Sequence, residues 1–258
     1  MDINLLALGV GNSRLAMGSF LSGELTRVDR EPLADPAHWQ AALESEIKRG
    51  SSADRPIVAA SVNRALNSQI EEIVKSATGQ TVQWVGRQID LPISVLTETP
   101  AETGVDRVLN VAAAFEQLEK ACIVVDAGTA LTVDCCNDNG DFLGGAILPG
   151  MSMMLDALAR NTAGVGRVTF QPPTGPVGNS TAAAVSHGVF YAIRGLVRDV
   201  AENLATSVGR WPEIIATGGD AETLFKDWEL IHAISPDLGL YGIALAYTEH
   251  HLRNEEPD

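Results

Sequence analysis

The sequence predicts an α/β fold made of two similar domains. Short β-branched apolar runs alternate with helix-period segments along the chain, the pattern of helices layered on sheets. A strand, Gly-rich turn, strand, turn, strand layout opens the chain and recurs over residues 122–147. Self-similarity at about half of the 258 residues places one copy in each domain, 1–118 and 119–258.

The first copy begins with the apolar run Ile3 to Leu8, followed by Gly9-Val10-Gly11-Asn12-Ser13 as a turn. Leu15 to Met17 continues extended, Gly18-Ser19 turns or bulges, and residues 21–25 turn into a third strand. A helix is expected from Asp35 or Pro36 to about Lys48, a buried strand from Pro56 to Ala60, a helix from Ala65 to Ser76 and a strand from Thr81 to Val85. Gly104-Val105-Asp106-Arg107 precedes the apolar helix Val108 to Leu118, so Asp106 and Arg107 fall in its first turn. An acid there is favoured by the helix dipole, and it can equally serve as a base with a guanidinium beside it.

The second copy runs from Ile123 to Val125, ends on the charge of Asp126 and turns at Gly128-Thr129. Leu131 to Val133 and Phe142 to Ile147 follow as strands, with Asn137 to Gly140 as the turn between them. A carboxylate, turn N–H groups and a hydroxyl at one hairpin tip can hold a phosphate chain and its cation. Met151 to Ala159 reads as a helix, and Thr162 to Gly178 as an exposed loop. Gly178-Asn179-Ser180-Thr181 caps a long helix whose apolar positions include Val189 and Ile193. Glu213 to Ala216 is a strand, and Thr217-Gly218-Gly219-Asp220 turns into a short helix. Its two glycines allow close approach of backbone to a flat ligand. The last helix, from Ser235-Pro236-Asp237-Leu238 to Leu252, is expected on the second domain.

Formal net charge is −15 with no Lys/Arg cluster, which argues against nucleic acid as a partner. Three cysteines without CxxC spacing suggest a reducing compartment. No run reaches membrane-span length, so a cytoplasmic protein is expected.

Asp126-Ala127-Gly128-Thr129-Ala130, with Gly144-Gly145-Ala146-Ile147-Leu148-Pro149-Gly150, resembles the second phosphate motif of type III pantothenate kinases. Gly104-Val105-Asp106-Arg107 resembles that family's substrate and catalytic motif. Gly178-Asn179-Ser180-Thr181, Thr217-Gly218-Gly219, and Ser235-Pro236-Asp237-Leu238 with Leu240-Tyr241-Gly242 match in the family's order. The resemblance implies two ribonuclease-H-like domains of the actin-like ATPase superfamily, with ATP in the cleft between them. It implies ATP-dependent phosphorylation of pantothenate, the first step of coenzyme A biosynthesis.

By the same resemblance Asp106 is the base, and Gly104, Val105, Asp106, Arg107 and Thr181 contact pantothenate, Thr181 across a homodimer interface. Gly9, Val10, Gly11, Asn12, Ser13, Arg14, Leu15 and Ala16, with Thr129, Gly218 and Gly219, contact ATP. Mg2+ accompanies the ATP, and Asp126 holds a monovalent cation, K+ or NH4+. The helix after Thr181 is expected in the dimer interface. One departure stands out: the family's first motif starts with Asp, and here that residue is Gly9. This substitution supports an alternative reading as a catalytically weakened homologue that binds ligand and regulates, like the Bvg accessory factors. A third reading is an ATP or polyphosphate hydrolase of the same superfamily, against which Gly104-Val105-Asp106-Arg107 argues.

Overall fold

The computed structural model describes residues 3–49 and 55–255. The chain forms two compact units, residues 1–116 with 237–258, and residues 117–236.

In the first unit, β1 (Leu5–Val10) and β2 (Arg14–Leu21) pair antiparallel, and β2 pairs in the same sense with β3 (Glu24–Pro32). After α1 (Pro36–Arg49), β4 (Ile57–Ser61) lies parallel to β1. A 3-10 turn at Arg64–Leu66 and α2 (Asn67–Thr78) lead to β5 (Gln83–Trp84), parallel to β4. The sheet order is β3-β2-β1-β4-β5. Strand alternation sends Leu6, Leu8 and Val10 to one face, where Trp39, Leu43 and Ile70 of α1 and α2 cover them. Leu5 and Ala7 point to the other face, against Leu109 of α3 (Val105–Leu118) and Leu240, Ile243 and Ala246 of α7 (Leu238–Glu255). Each fully buried large aliphatic side chain contributes about 1.5–3 kcal/mol to this layering.

The second unit repeats the plan. β6 (Cys122–Ala127), β7 (Ala130–Cys136) and β8 (Phe142–Pro149) form an antiparallel meander. After α4 (Met151–Asn161) and α5 (Thr181–Val208), β9 (Glu213–Thr217) lies parallel to β6. The short helix α6 (Ala221–Phe225) precedes β10 (Ala233–Ile234), parallel to β9. The order β10-β9-β6-β7-β8 is that of the first sheet, so the expected internal repeat is present strand for strand. Gly9 and Asp126 are both the fifth residue of their strands.

Four expectations need correction. The last helix packs on the first sheet, not on the second unit, so the second domain does not run to the end of the chain. Its sequence specifies an apolar stripe but not which sheet receives it. Gly9 and Val10 belong to β1, because ladder pairing to Ala16 and Ala60 outweighs the low strand preference of glycine. Gly18-Ser19 lies inside β2, with the irregularity between Ser19 and Phe20. Val189 and Ile193 of α5 pack against Ile123, Val125 and Val133 in the core of the second unit, so they are not a subunit interface. Val189→Asp or Ile193→Asp would therefore unfold this unit by burying an unpaired charge.

Among the described residues, no helix is long and apolar enough to cross a membrane. All three cysteines are buried and free, and burial pushes the Cys135 thiol up to about 12, unsuited to nucleophilic work.

Candidate active site

Three segments that are far apart in sequence meet at one end of the second sheet. Asp126, half-buried, pairs across the ladders with Thr132 and Thr217. The turn after it is closed by the Gly128 N–H, which donates to the Ala130 carbonyl at 3.1 Å. The Gly150 N–H, ahead of α4, donates to the Thr129 carbonyl at 3.1 Å. A Cβ on Gly150 would stand 2.5 Å from that same oxygen, so only glycine fits. The Asp220 N–H donates to the Ala127 carbonyl at 2.9 Å and anchors the third segment. Gly218 has φ +92°, and a Cβ there would lie 2.5 Å from both the Ala127 carbonyl and Asp126 Oδ1.

The glycine at 218 thus permits close packing of one turn on another, with Asp126 between them. Gly218-Gly219 is expected to allow a ligand close approach; at Gly218 the close approach is to protein. Thr129 remains exposed at the tip. Gly145, in the same motif as Gly150, makes room for the buried Asp134, whose Oδ1 would be 2.7 Å from an added Cβ.

The corresponding turn of the first unit is closed by the Gly11 N–H, which donates to the Arg14 carbonyl at 3.0 Å. Asn12, Ser13 and Arg14 are exposed, whereas the side chains of Val10 and Leu15 lie in the core. Gly9 is not in the left-handed region, and a Cβ there would make ordinary contact with Ala16 at 3.6 Å. By alternation, that Cβ would share a face with Ala7, the face that packs against α3.

Helix α3 begins at Val105, which puts Asp106 and Arg107 in its first turn as expected. The Arg107 N–H donates to Asp106 Oδ1 at 2.8 Å. A Cβ on Gly104 would stand 2.7 Å from the same oxygen, so this glycine leaves the carboxylate its place over the helix end. The residue is open to water, yet partial burial of its carboxyl raises the pKa from the usual 3.8. The Arg107 backbone bond and guanidinium oppose that rise. A carboxylate that is raised in pKa and accessible is suited to accept a proton.

Beside this helix start, a cavity of about 470 Å³ is lined by Ser61, Arg64, Asn67, Arg87, Gly104 and Val105, among others. Its arginines and Asn67 escaped the sequence reading. They come together through the parallel pairing of β4 with β5, which no local pattern encodes.

Comparison with known proteins decides between the remaining readings. The profile of the type III pantothenate kinase family matches residues 5–203. A type III pantothenate kinase from Desulfatibacillum aliphaticivorans is 31% identical over 253 residues, covering 94% of this chain and 97% of its own. The chain belongs to the type III pantothenate kinase family. Among solved structures, a Campylobacter jejuni protein of the Baf family of transcriptional activators aligns with TM-score 0.65 at 22% identity, over 96% of this chain and 100% of its own. The activator of 2-hydroxyisocaproyl-CoA dehydratase from Clostridium difficile, with bound ADPNP, aligns with TM-score 0.55 at 13% identity, over 99% and 98%. Both show the likeness of fold alone.

Within this pantothenate kinase framework, several motif residues build the fold. Asp237 pairs with Arg30 of β3, and Gly242 lets α7 lie directly against the Leu109 backbone of α3. Ser180 caps α5, its Oγ accepting the Ala183 N–H at 3.2 Å, and leaves Thr181 exposed at the first position. The position of Gly9 yields a prediction. Because the backbone is unstrained and a Cβ fits there, Gly9→Asp should leave the melting temperature within about 2 °C. If the first turn contacts the ATP phosphates as the resemblance implies, it should raise kcat/KM for MgATP about tenfold. A fall in melting temperature with no kinetic gain would refute this.

Proposed function

We propose that this chain transfers the γ-phosphoryl group of ATP to the primary hydroxyl of pantothenate, giving 4'-phosphopantothenate and ADP. The observation that carries the mechanism is Asp106, a raised and water-accessible carboxylate in the first turn of α3, next to a cationic cavity. Asp106 takes the hydroxyl proton as the new O–P bond forms and the bond to the β-phosphate oxygen breaks, so the charge passes to ADP. The family relationship makes the regulatory and hydrolase readings the weaker ones.

The turn residues of the second unit, Thr129 with its neighbouring N–H groups, are assigned to the phosphates. Among the described residues, no group of three His, Cys, Asp or Glu side chains is placed to hold a metal ion. Mg2+ would be carried chiefly by the phosphates with one or two carboxylates, where it would screen their charge. Asp126, at a strand tip beside turn carbonyls, is assigned to a monovalent cation, K+ or NH4+.

A coupled assay tests the reading. ADP release should require pantothenate and run faster in potassium than in sodium, and Asp126→Ala should erase the difference between the salts. Equal wild-type rates in the two salts would remove the cation from the proposal. A homodimer that brings Thr181 to the partner's substrate is also part of the reading. The edge strand β8 and α4 offer a further apolar surface for it, where Ile147 and Met153 are exposed, 60% and 49%. Light scattering should give twice the monomer mass at micromolar concentration, and a monomer would contradict it.

A further inference from the structure

Phosphoryl transfer uses none of the three cysteines, yet two of them stand face to face. Cys122 opens β6 and Cys136 closes β7. The ladder pairs Ile123 with Cys135, so the next rung outward sets Cys122 opposite Cys136. Their Sγ atoms lie 3.3 Å apart, in hydrogen-bond contact. Both residues are free thiols and fully buried. Cys135 adjoins Cys136 in sequence but points to the opposite face of the sheet, into the core with Ile123 and Val125. The pair in space is therefore not the pair in sequence.

The turn after β7 holds the two sulfurs together. Asn137 Oδ1 accepts the Asn139 and Asp141 N–H groups at 2.9 and 3.0 Å, which tightens the turn. Asp138 reaches back from it, and its Oδ1 accepts the Ala121 N–H at 2.9 Å, directly before Cys122. The Asp138 carboxylate also pairs with Arg210. The ladder to β8 is irregular between Cys135 and Cys136, where the backbone has room to adjust. A disulfide places its sulfurs about 2.0 Å apart, so an approach of about 1.3 Å completes the bond.

The contact between the thiols also divides their roles. The hydrogen bond from Cys122 draws Cys136 below the ordinary thiol value of 9.0, against the effect of burial. The same bond, with burial, pushes Cys122 up. Cys136 is thus the nucleophile of the pair and Cys122 the partner that keeps its proton.

We propose that Cys122 and Cys136 form a modification site, a dithiol that a peroxide converts into an intramolecular disulfide. The Cys136 thiolate attacks one peroxide oxygen and the O–O bond breaks, leaving a sulfenic acid on Cys136 and releasing hydroxide. The Cys122 sulfur then displaces the hydroxyl group from the Cys136 sulfur as the S–S bond forms, and the Cys122 proton leaves with that oxygen as water. The hydroxide takes up the proton that Cys136 lost on ionising. Two thiols are oxidised, and the peroxide is reduced to two waters. Access comes through the surface turn, since Asp138 is exposed. Breaking its bonds to Ala121 and Arg210 frees the two strand ends while the rest of the sheet stays paired.

The test treats the fully reduced, purified chain with hydrogen peroxide, then alkylates it in denaturant for intact-mass measurement and peptide mapping. Wild type should lose the mass of two hydrogens and keep a single alkylatable thiol, at Cys135. Its peptide map should contain a cross-link between Cys122 and Cys136, which a reducing thiol reverses. Cys135→Ser should form the same link. Cys122→Ser should form none and should gain oxygen on Cys136, because its sulfenic acid then has no partner. Asp138→Ala should speed the oxidation about fivefold, since one hydrogen bond fewer holds the turn closed. Circular dichroism on each variant separates loss of fold from loss of chemistry, and the wild-type peptide map needs no variant. A folded wild type that keeps all three thiols, links Cys135, joins two chains or takes up oxygen without a link overturns the site. An unchanged rate in folded Asp138→Ala overturns access through the turn.

Discussion

Asp106→Asn is expected to lower turnover by about 10²-fold or more while leaving the fold intact, because the amide cannot accept the hydroxyl proton. The same substitution should leave the melting temperature unchanged or raise it. The sign follows from the pKa. Burial raises the folded-state pKa of Asp106 above its unfolded value, so the folded chain holds a proton that the unfolded chain has released. Any stability cost therefore grows as pH rises from the usual 3.8 through the folded value, and Asn removes it. In the wild type, kcat/KM should fall on acidification through a pKa above 3.8, since the carboxylate must be ionised to act. A residue with only a helix-stabilising role would show the opposite pair of effects, losing stability and keeping activity. Steady-state rates and thermal melts on one preparation read both.

Gly218→Ala should be damaging in both respects. The left-handed φ of +92° costs any L-residue strain, and the new Cβ would overlap the Ala127 backbone and Asp126 Oδ1 at 2.5 Å. Strain and overlap together should remove about 2–4 kcal/mol of stability. That corresponds to a fall of roughly 5–10 °C in melting temperature for a chain of this size. The displaced group is Asp126, so kcat/KM for MgATP should drop at least about tenfold and the potassium response should weaken. Gly9→Asp is the contrast: the equivalent strand position, with an unstrained backbone and only ordinary contact to Ala16 for a new Cβ. If Gly218→Ala keeps wild-type stability and ATP kinetics, the packing of the two turns does not position Asp126.

The parts of the fold that were legible in the sequence are those set by local chemistry. The two meanders show as β-branched runs broken by Gly and Asn turns, and Ser180 announces α5 by its capping side chain. Strand β10, two residues long, carries too few side chains for a period, whereas β5 fell inside the expected strand from Thr81 to Val85. The destination of α7 was hidden because an apolar stripe does not name its partner. The places of Asp106 in a first helical turn and Asp126 near a strand end were legible because their turns are contiguous in sequence. The convergence of Gly150 and Gly218 on the Asp126 turn was not, since β8, β9 and the intervening helices separate those segments in sequence. The same reason hid Arg87, whose partner Asn67 lies across an entire helix–strand crossover.

The central claim is that the protein is a kinase whose acceptor is pantothenate. Mass-spectrometric detection of 4'-phosphopantothenate from purified protein, MgATP and pantothenate in potassium buffer tests it most directly. One phosphorylated product should form for each ADP, with no ADP above background when pantothenate is left out. Folded protein that yields no product, or that releases ADP at the same rate with and without pantothenate, would contradict it.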